Sequence, residues 1–232
     1  MIILHIETST NICSVAISEN GSILFNDLDD KGMNHAALLP VFIQKSFDFL
    51  KTVHKKLNAV AVSGGPGSYT GLRIGVSTAK GICYGLDLPL ISVSTLEIIS
   101  SAPLRHHTFE RQALLCPMID ARRMEVYSAF YTPDLKIYRE ISADIITSDS
   151  FTEILDNYVV YFMGNGSVKC KSILTHPHAR FIDEIVPLAE NMIHLAEKSF
   201  SEKKFVDTAY FEPFYLKEFQ ATIPKNKLNS GN

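Results

Sequence analysis

The chain has 232 residues, 46% of them apolar and 20% charged, with a formal net charge of −3. That is enough apolar surface to build a sizeable core in one large or two small domains. It excludes a membrane-spanning helix, since no stretch approaches the ~20 consecutive apolar residues such a helix needs, and it excludes the basic stripe by which a protein holds nucleic acid unaided.

The start, Met1-Ile2-Ile3-Leu4-His5-Ile6-Glu7, has no basic leader, long apolar core or small-residue cleavage site, so a cytoplasmic location is expected. Strands are predicted over Ile2 to Thr8, Cys13 to Ser18 and Ser22 to Leu28, the last two joined through Asn20-Gly21, which tolerate the positive φ of a tight hairpin. A helix follows, with Asn34 as its N-cap. Leu38, Phe42, Lys45-Ser46 and Phe49 mark one stripe at helical spacing and Leu39, Ile43, Phe47 and Leu50 the next, a combined apolar surface wide enough to require cover on more than one side. Asn58 to Ser63 is a buried-type strand running into Gly64-Gly65-Pro66-Gly67-Ser68-Tyr69-Thr70-Gly71. A second helix is predicted over Leu72 to Leu86, with small residues at Gly75, Ser77, Ala79 and Gly81 that permit close contact. A strand over Leu90 to Val93 and a Ser94-capped helix over Thr95 to Ser101 complete this half.

Pro103 to Gln112 lacks periodicity and marks a domain boundary. Strands return over Ala113 to Asp120, Glu125 to Tyr131 and, after the turn Thr132-Pro133-Asp134, Lys136 to Ile141. A helix over Ser148 to Leu155, a strand over Val159 to Met163 ending in Gly164-Asn165-Gly166, and a helix over Pro187 to Phe200 follow. Lys225 to Asn232 is a polar, disordered tail. No internal repeat stands out. The order of elements predicts a mixed α/β protein of two lobes.

Three segments concentrate chemistry. Glycines at the start of a helix can expose N–H groups to an anion, which makes Gly64 to Arg73 a phosphate candidate through Gly65, Gly67, Ser68, Thr70, Gly71 and Arg73. The alternative, a tight turn whose glycines allow close packing, is favoured, because neither GxxxxGK[ST] nor GxGxxG occurs. Glu7, Thr8 and Ser9 at the end of the first strand could hold a metal-bound phosphate or form a polar turn. Asp120, Arg122, Arg123 and Glu125 join two strands and form either a substrate contact or a surface turn with local ion pairs. No HxxxH, HExxH or His–Cys pattern suggests a metal site, no GxSxG elbow suggests a hydrolase, and the four scattered cysteines read as buried thiols.

The order Ile6-Glu7-Thr8-Ser9-Thr10, Asn34-His35 to Leu39-Pro40, GGPGSYTGLRIG from Gly64 to Gly75, DARRMEVY from Asp120 to Tyr127, and Pro213-Phe214-Tyr215-Leu216 resembles the TsaB family over about residues 2 to 217. That resemblance implies an actin-like (ribonuclease H-like) α/β fold, each lobe a mixed sheet with flanking helices. The lobes would be residues 1–102 and 103–217, with a tail at 218–232. It implies a non-catalytic subunit of the complex that forms threonylcarbamoyladenosine in tRNA, paired with a TsaD-like catalytic subunit and a TsaE-like ATPase. Alone, the chain would form a homodimer; tRNA would be met through the complex. No catalytic residue, metal or resident cofactor is expected, although ATP or ADP is allowed for at the complex interface. Many actin-like phosphotransferases carry Asp where this chain has Glu7, which weakens independent ATP–metal binding. The partner surface is expected on the first two helices, at Leu38, Leu39, Phe42, Gly75 and Ala79. The competing readings are an autonomous peptidase or ATP-dependent kinase and a plain nucleotide-binding module.

Overall fold

The computed structural model describes residues 1–32 and 34–216. Strands β1 (Ile2–Glu7), β2 (Cys13–Glu19) and β3 (Ser22–Asp29) form an antiparallel meander, and β4 (Ala59–Ser63) and β5 (Leu90–Val93) extend it in parallel on the other side of β1. The sheet order is β3-β2-β1-β4-β5. The second sheet repeats this plan. Strands β6 (Ala113–Asp120), β7 (Glu125–Tyr131) and β8 (Ile137–Ile145) make the meander, while β9 (Val159–Met163) and β10 (Ala179–Ile182) add in parallel beside β6. Its order, β8-β7-β6-β9-β10, makes β6 the counterpart of β1 and β9 the counterpart of β4. The repeat lies in hydrogen-bond topology and not in residue identity, which is why no sequence repeat announced it.

Alternation along the strands sorts side chains to two faces. Leu4, Ile6, Val15, Val60 and Val62 meet helices α1 (His35–Thr52) and α2 (Tyr69–Leu86) on one side of the first sheet. Ile3, Ala59, Ala61, Ile91 and Val93 meet Ile98 of α3 (Thr95–Ser101) and Met192 and Ala196 near and in α6 (Ile193–Ser201) on the other. Helix α3 also turns Leu96 and Ile99 onto Leu115, Ile119, Ala129 and Tyr131 of the second sheet. It is therefore core to both lobes. The far face of the second sheet packs Cys116, Met118, Val126, Phe130 and Phe162 with Leu155 of α4 (Thr152–Leu155) and Cys170 of α5 (Ser167–Cys170).

The chain then returns to the first lobe. A 3-10 turn, Ala189–Met192, is tied to β2 by the Ala189 N–H donating to Ser14 Oγ (2.9 Å). Beyond α6, Val206 bridges to the outer edge of β5 at Leu90. The C-terminal lobe expected over residues 103–217 thus gives its final stretch to the first lobe, because the apolar face of α6 fits the first sheet. The expected tail at 218–232, with the polar run Lys225 to Asn232, lies outside the described residues.

Other boundaries shifted for local reasons. Helix α2 starts at Tyr69 and not Leu72, because Ser68 Oγ accepts the Gly71 N–H (3.2 Å) and caps it. Asn34 occupies the cap position of α1 but its side chain makes no cap bond; its carbonyl receives the N–H groups of Ala37 and Leu38. Ser94 likewise holds the cap position of α3 through its carbonyl, which accepts the Ile98 N–H (3.0 Å), while its side chain makes no cap bond and the Thr95 N–H donates to the Gly65 carbonyl (2.9 Å). Around residue 148 a Thr147–Ser150 turn replaces the predicted first helical turn. Strand β10 and helix α5 are too short for periodicity to reveal.

The apolar surface of α1 is consumed internally. Leu39 has no exposed area and lies in the cluster with Leu4, Val15 and Val62. Leu39→Ala is expected to cost about 2–5 kcal/mol, read as a fall in urea midpoint with an unchanged slope; a cost under about 1 kcal/mol would mean that α1 can collapse onto the sheet.

Candidate functional site

Parallel strands β1 and β4 end side by side at Glu7 and Ser63, and the segments leaving them interlock. Glu7 is fully buried; its Oε1 accepts the Ser9 N–H at 2.5 Å, while Oε2 has no partner among the described residues. Burial pushes the Glu7 carboxyl up to about 7, although hydrogen bonds from Ser9 and Ser63 pull the other way. Thr8 Oγ1 donates to the Gly71 carbonyl (2.8 Å), the Ser68 N–H to the Ser9 carbonyl (2.7 Å), and the Ile12 N–H to Thr10 Oγ1 (3.3 Å).

The glycines of the Gly64–Gly71 loop are the means of this approach. A Cβ on Gly67 would collide with the Ser9 backbone, one on Gly71 with the Thr8 carbonyl, and one on Gly75 with Thr8 Oγ1. Gly65, at φ +101°, lies beneath the Phe214 carbonyl. The C-terminal segment thereby straps the loop. Phe214 N–H donates to the Gly64 carbonyl (2.7 Å), Lys80 Nζ to the carbonyls of Ala209 (2.9 Å) and Phe211 (3.1 Å), and the Tyr215 ring packs 4.8 Å from that of Tyr69. Arg73, exposed on α2, donates to the Tyr69 hydroxyl (2.9 Å).

The second lobe carries the counterpart at the end of β6. Asp120 Oδ1 accepts the Arg122 N–H (2.8 Å) and Lys169 Nζ (2.5 Å), and Lys169 also donates to the carbonyls of Arg123 and Glu125, both at 2.7 Å. Asn165, in the loop after β9, accepts the Asp120 N–H through Oδ1 (3.0 Å). The residues expected from sequence thus gather as two constellations, one per lobe. Sequence reasoning missed Lys169 and gave Asn165 no role. Gly164-Asn165-Gly166 was a visible signal for a tight loop, but nothing near Lys169 in sequence points to Asp120.

The expected partner-facing residues need correction. Leu39, Phe42, Gly75 and Ala79 are buried and Leu38 is half-buried, because they form the contact between the helix pair and its own sheet. Exposed residues of the same helices include Val41 on α1 and Arg73, Ser77, Gly81 and Tyr84 on α2, with Tyr84 88% exposed.

The comparisons with known proteins cover nearly the whole chain. The tRNA threonylcarbamoyladenosine biosynthesis protein TsaB of Escherichia coli K12 is 30% identical over 223 residues, spanning 94% of this chain and 95% of that protein. The chain belongs to the TsaB family. A Haemophilus influenzae TsaB is 28% identical, with 93% of each chain covered. The family model described as TsaD, tRNA N6-adenosine threonylcarbamoyltransferase, matches residues 31–225. The structure of YeaZ from Pseudomonas aeruginosa superposes with a TM-score of 0.74 at 23% identity, covering 93% of this chain and 99% of that one. The TsaB chain has the actin-like two-lobe α/β fold, built here from two sheets of identical strand order.

That fold implies a nucleotide, and the loops of the first lobe do not fit one. The Ser9, Ile12 and Ser68 N–H groups that could meet a phosphate donate instead to Glu7, Thr10 and the Ser9 carbonyl, and the space above the glycines is filled by Thr8, Ser9 and Phe214. The glycines of the Gly64–Gly71 segment thus lie against neighbouring backbone and side chains. No helix of the described residues is long and apolar enough to cross a membrane, and among them no group of three or more His, Cys, Asp or Glu could hold a metal ion.

Proposed function

We propose that this chain is the non-catalytic subunit of the assembly that forms N6-threonylcarbamoyladenosine in tRNA, supporting a TsaD-like catalytic subunit together with a TsaE-like ATPase in the cytoplasm. The observation that carries the reading is the end-to-end relation to TsaB proteins named for that pathway. The geometry supports it. The loop that a self-sufficient kinase would use for phosphates is packed shut by its own neighbours. Any ATP or ADP of the complex is then held at an interface with a partner and not by this loop. The outward strip Val41, Arg73, Ser77, Gly81 and Tyr84 is the docking face for the partner subunit, with a second copy of the chain as its occupant in isolation.

Reconstitution tests this. Purified TsaD and TsaE proteins, threonylcarbamoyl-adenylate, ATP and unmodified tRNA are combined with and without the chain, and the digested tRNA is assayed by mass spectrometry. The modified nucleoside is expected only when the chain is present, and none from the chain alone. Equal yield without it would end the subunit reading, and turnover of ATP or a peptide by the isolated chain would replace it with an autonomous enzyme.

A further inference from the structure

We propose that the turn joining β6 and β7 is a contact site for the phosphodiester backbone of RNA, with Arg122 and Arg123 as its cations. The inference rests on the reading that the chain serves tRNA modification, and it places on this chain a direct contact that the reading alone does not require.

The backbone supplies the first observation. Arg122 and Arg123 stand at φ +71° and +46°, consecutive residues in the left-handed region, where a Cβ crowds the following carbonyl. Asparagine and glycine are the residues that fill such positions without strain. Strain kept at two adjacent arginines points to their side chains as the reason.

The second observation is how the turn spends its charges. Asp120 is the natural partner for a neighbouring guanidinium, yet its Oδ1 is taken by the Lys169 ammonium and the Arg122 N–H. Lys169 also gathers the Arg123 and Glu125 carbonyls, so one buried-side cation neutralises the inner face of the turn. Both arginines are exposed, and their guanidinium groups have no acceptor among the described residues.

The third observation is position. The turn leaves the carboxyl end of β6 beside the carboxyl end of its parallel neighbour β9, the place where α/β sheets present their ligands. Gly166 lies so close that an added Cβ would meet the Ile119 and Asp120 backbone, so the two loops form one rigid edge.

Two planar guanidinium groups match phosphate oxygens in bidentate fashion. On an open turn, one small phosphate would gain little against water and salt. A strand of phosphodiesters adds counterion release at every contact. With a net charge of −3 the chain does not hold RNA by overall charge, so the contact is local and works beside other RNA-binding subunits.

The test uses a fluorescein-labelled unmodified tRNA transcript and anisotropy titrations between 25 and 200 mM KCl. The full-length protein is titrated assembled with its TsaD-like and TsaE-like partners. The key variant is R122N/R123G, which relieves the backbone while removing the cations. Its melting temperature is expected to stay level or rise, while tRNA affinity falls about tenfold and the log–log salt slope shrinks by about 1–2. R122K/R123K should keep the slope and recover part of the affinity. Unchanged affinity and slope in R122N/R123G would overturn the proposal, as would an assembly with wild-type chain that binds no tRNA at 25 mM KCl. Loss of subunit assembly with tRNA binding by the remaining partners unaffected would also overturn it, and would assign the turn to an acidic protein surface. If tRNA binding depends on the arginines but modification proceeds without the chain, the RNA contact stands and the subunit reading fails.

Discussion

Gly71→Ala is expected to destabilise the protein by about 3 kcal/mol, lowering the melting temperature by roughly 6–12 °C. Gly71 lies in the first turn of α2, where helix propensity alone would make alanine the better residue by about 1 kcal/mol. The sign is reversed because the new methyl would enter the Thr8 carbonyl, which belongs to the main chain and is fixed by β1. Moving it also strains the Thr8 Oγ1 bond to the Gly71 carbonyl and the Ser68 bond to Ser9. Gly81→Ala is the matched control. It lies in the same helix with nothing within 4 Å of an added Cβ, and it should stabilise by about 0.5–1 kcal/mol. Thermal unfolding of the pair decides the matter. A stabilised Gly71→Ala protein would mean that the loop is slack, and the packing account of its glycines would fall with it.

Glu7→Gln is expected to alter the pH dependence of stability between pH 4.5 and pH 7. The Glu7 carboxyl is raised from 4.5 to about 7 by burial. The folded state therefore keeps a proton that the unfolded chain releases between those values. Stability from this group is fully present below pH 4.5 and is lost as pH rises through about 7, a change of about 3 kcal/mol. His5, on the same strand, acts in the opposite sense. Burial lowers its imidazole to about 3, so its contribution is present above pH 6.5 and is lost as pH falls toward 3. Between pH 4.5 and pH 6.5 the two slopes oppose and largely cancel, so wild-type stability should be nearly level there and fall only toward pH 3. Glu7→Gln should leave the His5 slope unopposed, so that its stability rises with pH and gains about 3 kcal/mol relative to wild type between pH 5 and pH 8 in urea titrations. A stability difference between the two proteins that stays constant from pH 5 to pH 8 would show that Glu7 ionises normally in the fold, through water reaching Oε2.

The same two residues show how far the site was legible. Glu7 was visible as an acidic strand end, and its chemical meaning was not, because that depends on the Gly64–Gly71 loop folding over it. Phosphate binding and close packing predict the same glycines. Only the placement of Thr8, Ser9 and Phe214 above them separates the two, and those residues arrive from both ends of the chain. In the second lobe the motif from Asp120 to Tyr127 was evident, but Lys169, which determines what Asp120 does, arrives from beyond β9.

The helices carried a similar ambiguity. Leu38, Leu39 and Phe42 form a wide apolar surface, and periodicity cannot tell whether such a surface meets a partner or the chain's own sheet. The sheet took it. What remains outward on α2 mixes the small residues Ser77, Gly81 and Gly85 with Arg73, Tyr84 and Leu86.

The sequence by itself determined the opening meander, the α1 and α2 helices, the strands of both sheets other than β10, the two-lobe α/β class and the family. These rest on local periodicity, turn chemistry and motif identity, which act over a few residues. Tertiary structure decided the doubled strand order, the service of α3 to two cores, the return of residues 189–216 to the first lobe and the use of each polar group at the strand ends. Those outcomes depend on which distant surfaces bury one another. Burial free energy grows with the area removed from water and carries no record of sequence distance, so it leaves no local trace along the chain.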